Sequence, residues 1–249
     1  MTPLEIVDAT ARPILELGRG WMLAPSTGDR AVELGLELPF GFWVNGRAGA
    51  MGEVEPDVVA SAIGFMYPPL ARQYWTSRPA GLSARAAAEA YADAAAVWGR
   101  GVLAGMAADD LSELAALARK VADAALPSTG AIFAGWRSLA GPTDPAGAAT
   151  VALNVLREMR GGAHLSAVNA AGIGPLGAVI SAEDQVRGGE AGARRFGWPE
   201  PFPGRETARR AEAERLTSVI CEPAYAALSP TEATRFVDLV TVSHRALDA

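Results

Sequence analysis

A mainly α-helical protein is predicted by three features of the sequence. Alanine comes in runs such as Ala86-Ala87-Ala88 and Ala94-Ala95-Ala96, apolar residues recur at helical spacing, and β-branched runs are scarce. Alanine favours helix because it loses no side-chain entropy there. Residues spaced three and four apart fall on one face that can be buried. Half of the 249 residues are hydrophobic and a fifth are charged, enough apolar surface for a substantial core and too much for a disordered chain.

Along the chain, Leu4 to Leu17 carries apolar residues but is interrupted by Pro13, which predicts a short helix and then a turn into a second. Pro25 to Asp29 is a loop or helix start, and Ala31 to Leu36 a short helix ended by Gly35. Residues 39–52 mix aromatics with glycine and read either as a core helix, Phe40 to Gly46, or as the wall of a pocket. Glu55-Pro56-Asp57 opens a helix with Val58, Val59 and Ile63 inward, and Pro68-Pro69 starts another through Trp75; so close a pair resembles a helix-turn-helix unit.

Ser83 caps a long alanine-rich helix to about Trp98, with Gly99, Gly101 and Gly105 marking a bend. Helices are expected over Leu111 to Leu126 and Ala131 to Leu139. Residues 141–145, Gly-Pro-Thr-Asp-Pro, are the candidate junction between an N-terminal half, 1–140, and a C-terminal half, 141–249. A helix over Pro145 to Met159 should break at Arg160-Gly161-Gly162-Ala163 and restart near His164, with a further helix over Leu176 to Val186. Residues 188–204, rich in Gly, Pro and Arg, predict a long loop holding a short β-hairpin or wing. Two amphipathic helices, Arg205 to Cys221 and Ser229 to about Leu247, complete the chain.

Composition removes several classes. The net charge of −6 disfavours a protein that holds DNA mainly through phosphates, and equally one that sits on anionic membranes. The single cysteine, Cys221, can form neither an intramolecular disulfide nor a Cys-x-x-Cys zinc site and reads as a small buried hydrophobe. No stretch of about 20 apolar residues could span a bilayer, and the first residues do not read as a secretion signal. A cytoplasmic location is expected.

Two segments point to a family. Arg157 to Val168, followed by Ala171-Gly172-Ile173, resembles an L-R-E-x-R-G-x-x-H-x-x-A stretch ending in an Ala-Gly turn, a hallmark of an actinobacterial helix-turn-helix-like group of unassigned role. Phe42 to Ala48 with Met51-Gly52, leading into Val58, Val59 and Tyr67-Pro68, is similar to that group's G-R-A-A-P-L-G region, and Gly197-Trp198 falls where the group carries Gly-Trp. Ala50-Met51 replaces the group's Pro-Leu pair. The resemblance implies an all-helical protein of two winged-helix-like halves packed together, with Arg47, Arg160 and His164 at shared motif positions.

The candidate chemistry centres on His164, one of two histidines. At an expected helix start it should be neutral, because the positive end of a helix disfavours imidazolium, and a neutral imidazole can exchange a proton near neutral pH. Arg160 and Arg157, four and seven residues earlier, could add guanidinium donors for a carboxylate or phosphate. Arg47 either clamps a ligand anion or pairs with Glu53 or Glu55. Trp43 and Tyr67 supply aromatic wall. His244 reads as a surface residue, and the adjacent Glu183-Asp184 as solvated surface. No metal site is expected, no cofactor is indicated, and neither a nucleophile elbow nor a phosphate-binding glycine loop occurs.

The leading expectation is a protein that binds an anionic small molecule between its halves, with His164 as a catalytic residue if it is a biosynthetic or tailoring enzyme. A helix-turn-helix regulator contacting DNA through Arg194, Arg195, Arg205, Arg209 and Arg210 ranks second, and a non-catalytic interaction protein third. A homodimer is compatible with each.

Overall fold

The computed structural model describes residues 1–183 and 188–248. The protein is mainly α: thirteen α-helices and no strand among the described residues. The helices are α1 (Pro3–Met22), α2 (Pro25–Glu33), α3 (Gly41–Ala48), α4 (Pro56–Ile63), α5 (Pro68–Thr76), α6 (Ala84–Val102), α7 (Ala108–Ala124) and α8 (Ala131–Arg137). After the 141–145 segment come α9 (Pro145–Ala170), α10 (Gly174–Ser181), α11 (Gly189–Arg195), α12 (Thr207–Tyr225) and α13 (Pro230–Arg245).

The long helix α9 organises the rest. Asp144 caps it, its carboxylate accepting the Gly147 N–H at 2.9 Å, with Pro145 in the first turn. Helices α1, α6, α7, α8, α10 and α12 all pack on α9. One buried apolar cluster runs from Ile6 in α1 through Leu156 in α9 to Val240 in α13, so residues on both sides of the 141–145 segment share a core.

Several elements differ from the sequence expectation, for definable reasons. Helix α1 runs unbroken past Pro13 because Ile6, Val7, Ile14, Leu17 and Trp21 form one buried stripe, and that packing outweighs the lost hydrogen bond. Gly99 does not bend α6. A Cβ there would lie 2.0 Å from Thr150 Oγ1, so glycine lets α6 and α9 approach closely.

Helix α9 likewise continues through Gly161-Gly162 instead of stopping. Gly162 is where the 3-10 turn Pro127–Thr129 crosses it: a Cβ would stand 2.3 Å from Thr129 O. His164 therefore lies in the interior of a helix, not at its start. The expected wing is replaced by α11 and an irregular stretch up to α12. Val186 and Asp184, placed by sequence in a helix and on a solvated surface, lie outside the described residues. No single helix among the described residues is long and apolar enough to cross a membrane.

Candidate functional site

A cavity of about 1590 Å³ opens between α1, α4, α8, α9, α10 and α12, lined from residues on both sides of the 141–145 segment. On α9, Arg157, Arg160, Gly161 and His164 all contribute to its wall. In one unbroken helix these positions follow an i, i+3, i+4, i+7 pattern and share a face. Of the residues singled out by sequence, His164, Arg47, Arg157, Arg160 and Trp43 line the cavity. Tyr67 does not. It caps α5, and its ring packs on Trp198 with centroids 5.4 Å apart.

Two carboxylates that sequence reading had not singled out hold the arginines. Glu158 accepts a bidentate pair from Arg47, Nε at 2.9 Å and Nη2 at 2.7 Å, and a third bond from Arg157 Nη1 at 2.9 Å. Arg47 thus reaches across to α9 rather than to Glu53 or Glu55. Its guanidinium lies 4.5 Å over the Trp43 ring, a cation–π contact that also explains the tryptophan. Glu158 is 1% exposed. Burial alone would raise its pKa, but Arg47 and Arg157 hold it below the ordinary carboxylate range. Burial also works against the charge on Arg47, and Glu158 more than offsets it, so its pKa is raised. Arg157 has the opposite balance: burial, with the repulsion of Arg47, outweighs Glu158 and lowers its pKa. One carboxylate does not compensate two buried guanidiniums, and the shortfall falls on Arg157.

The second cluster is built on α12. Glu214 binds Arg160 Nη2 at 2.7 Å and Arg210 through Nη2. Burial pushes the Glu214 pKa up, and the surrounding charges, Arg210 and Arg160 among them, bring it below its ordinary value. His164 stacks on Phe65, centroids 5.5 Å apart, and its Nδ1 lies 2.8 Å from Thr217 Oγ1. The Thr217 hydroxyl donates its one proton to Ala213 O at 2.6 Å, so Thr217 accepts from His164, and Nδ1 carries the imidazole hydrogen. Nε2 is then a lone-pair acceptor, 3.9 Å from Glu214 Oε1 and without a hydrogen-bond partner. Burial pushes the His164 pKa down to about 4; Glu214 opposes the shift, and Arg210 and Arg160 add to it. The expected neutral histidine is present, but desolvation rather than a helix terminus makes it so.

Arg160 Nη1 and Arg157 Nε are also buried without a partner; the latter lies against Gly18 of α1. Elsewhere in the cavity wall, Arg12 is paired with Glu16 at 2.8 Å. Cys221 also lies on the wall, and burial raises its thiol to about 11, so it stays protonated at neutral pH. His244 is half-buried and bonded to Glu16. No group of three or more His, Cys, Asp or Glu suited to a metal occurs among the described residues.

The arginines proposed for phosphate contact are largely engaged. Arg194 is shared by Glu190 and Glu200, Arg209 is paired with Glu206, and Arg210 belongs to the cavity. Arg205 donates to Ser181 O.

Fold and site together define a mainly α-helical protein with a large cavity, one wall of which carries more guanidinium than carboxylate. The sequence pattern of a helix-turn-helix family matches residues 9–205, and the chain belongs to that family. Neither the curated proteins nor the solved structures contain a match to the chain. The matched span includes α9 and the whole Glu158 cluster, whereas Arg210 and Glu214 lie beyond it.

Proposed function

We propose that the protein binds an anionic small molecule in the cavity, against the wall formed by α9 and α12. One observation carries the reading: each of two carboxylates, Glu158 and Glu214, is shared by two arginines on that wall. An unpaired charge away from water is costly, and an oxyanion beside Arg157 or Arg160 would relieve it through charge-assisted bonds. Arg47 and Trp43 act by fixing Glu158, and His164 Nε2 offers an acceptor to a hydroxyl or N–H of the ligand. If the ligand is a substrate, His164 is the group able to take its proton. The halves 1–140 and 141–249 would both line the one site.

Native mass spectrometry of protein purified from its own cells tests this reading. A stoichiometric acidic ligand that is lost in Arg160→Met and in Gly161→Leu, with both variants folded by circular dichroism, is the expected result. A ligand retained by both folded variants would place the site elsewhere.

A regulator reading has one specific support. Helix α4 is both part of the cavity wall and the first helix of the α4–α5 pair, so ligand binding could bear on a DNA-binding unit. Against it, α5 exposes a single arginine, Arg72, already paired with Asp57 at 2.5 Å. Salt-dependent retardation of DNA from its own operon supports this reading, and no retardation at low salt removes it.

A further inference from the structure

The cavity carries more information than the sign of its ligand. Its volume of about 1590 Å³ exceeds the range of about 300–1,000 Å³ that suits a drug-sized molecule. The arginines that share one carboxylate between two lie on the wall built by α9, α12 and Arg47. Besides the charged Arg12, Glu16, Arg19, Asp57 and Glu183, the remaining wall is largely apolar, and Ala11 of α1, Ala62 of α4 and Phe65 are only half-buried there. Leu15 and Val58 continue this surface outward, at 38% and 45% exposure.

Gly161 is a second, independent feature. Glycine in a helix interior is unfavourable, and unlike Gly162 no packing requires this one. The nearest atom to an added Cβ is Glu158 Oε2, at 4.0 Å. The position leaves bare helix backbone on the cavity wall, between Arg157 and His164, where a ligand can lie close.

Resting on the anion-binding reading, we infer that the occupant is an amphipathic acid: one oxyanion group seated on the arginine wall, and a large apolar body, chain or fused ring, spread over Gly161 and the apolar wall. A hydrophilic polyanion would leave the apolar wall covered by nothing that prefers it to water. A neutral lipid would leave the surplus guanidinium uncompensated.

Displacement of anilinonaphthalene sulfonate, a fluorescent ring-bearing acid, from the full-length protein tests the inference, with dodecanoate, dodecanol and inorganic phosphate as competitors. Saturable dye binding is expected, lost or strongly weakened in Gly161→Leu and in Arg160→Met, with thermal melts showing that each variant is folded. Dodecanoate should displace the dye at a concentration lower than dodecanol by about tenfold or more, the worth of a charge-assisted bond, and phosphate should not displace it. Phosphate competing as well as dodecanoate would remove the apolar body and leave the anion site standing. Dodecanol competing as well as dodecanoate would remove the anion reading itself. Absence of saturable dye binding, or unchanged binding in both folded variants, overturns the assignment.

Discussion

The two carboxylate clusters of the cavity have the same composition, one glutamate between two arginines, and differ in depth. Glu158 is 1% exposed, with Arg47 and Arg157 each at 10%; Glu214 is 40% exposed, with Arg160 at 24% and Arg210 at 23%. A buried ion pair gains strength from its low-dielectric surroundings, but losing one partner leaves an uncompensated charge there. A half-exposed pair is screened by water and contributes little. The Glu158 cluster is therefore a fixed part of the fold that leaves Arg157 electrically short, while the Glu214 cluster can rearrange around a ligand at low cost.

The largest effect expected from this contrast is on stability. Glu158→Gln should cost about 3–5 kcal/mol in urea unfolding, because two buried guanidiniums lose the counter-charge they share. Glu214→Gln should cost about 1 kcal/mol or less, discounted for its exposure. Equal costs would break the comparison.

Next in size is a pH effect. The His164 pKa is 6.5 when unperturbed and about 4 in the fold. Between those values the unfolded chain binds the proton and the folded chain does not. Stability is therefore fully present above pH 6.5 and declines as the pH falls toward 4, by on the order of 3 kcal/mol. His164→Gln should flatten that slope, leaving the losses below about pH 4.5 that come from Glu158 and Glu214, whose pKa values are lowered from 4.5. An unchanged slope in the variant would show that another group controls the window.

The glycine pair sharpens the comparison with opposite signs. Gly162→Ala should destabilise by about 1–3 kcal/mol in thermal melts, since its Cβ would meet Thr129 O at 2.3 Å. Gly161→Ala should stabilise by about 0.5–1 kcal/mol, the helix propensity gained where space is open, while weakening binding in the cavity. If Gly161→Ala also leaves dye binding unaltered, Gly161 is not part of the ligand surface.

Much of the fold was legible in the sequence. The Ser83 cap, prolines in first turns and apolar spacing located most helices. The misreadings share one cause. Local propensity treats Pro13, Gly99 and Gly161-Gly162 as breaks, whereas tertiary packing carries the helices α1, α6 and α9 through them. Reading a break before His164 placed it at a helix terminus and hid the common face of Arg157, Arg160 and His164. The arginines, His164 and Trp43 were found because their chemistry suits an anion. Glu158 and Glu214 were passed over because a glutamate beside arginines in sequence looks the same whether it is solvated or buried. Only the tertiary fold, which brings the Arg47 side chain from α3 to α9, decides that it meets a carboxylate 111 residues away. The expected wing had no local signal against it: its Gly-Pro-Arg composition fits α11 and the irregular stretch after it equally well.

The most direct test of the account is a crystal structure of the protein with dodecanoate. The predicted result is a carboxylate within hydrogen-bond distance of the Arg157 or Arg160 guanidinium, with the chain running over Gly161 toward Phe65, Ala62 and Val58. A chain inserted with its carboxylate outward at the mouth, or bound at another face with the cavity empty, would contradict it.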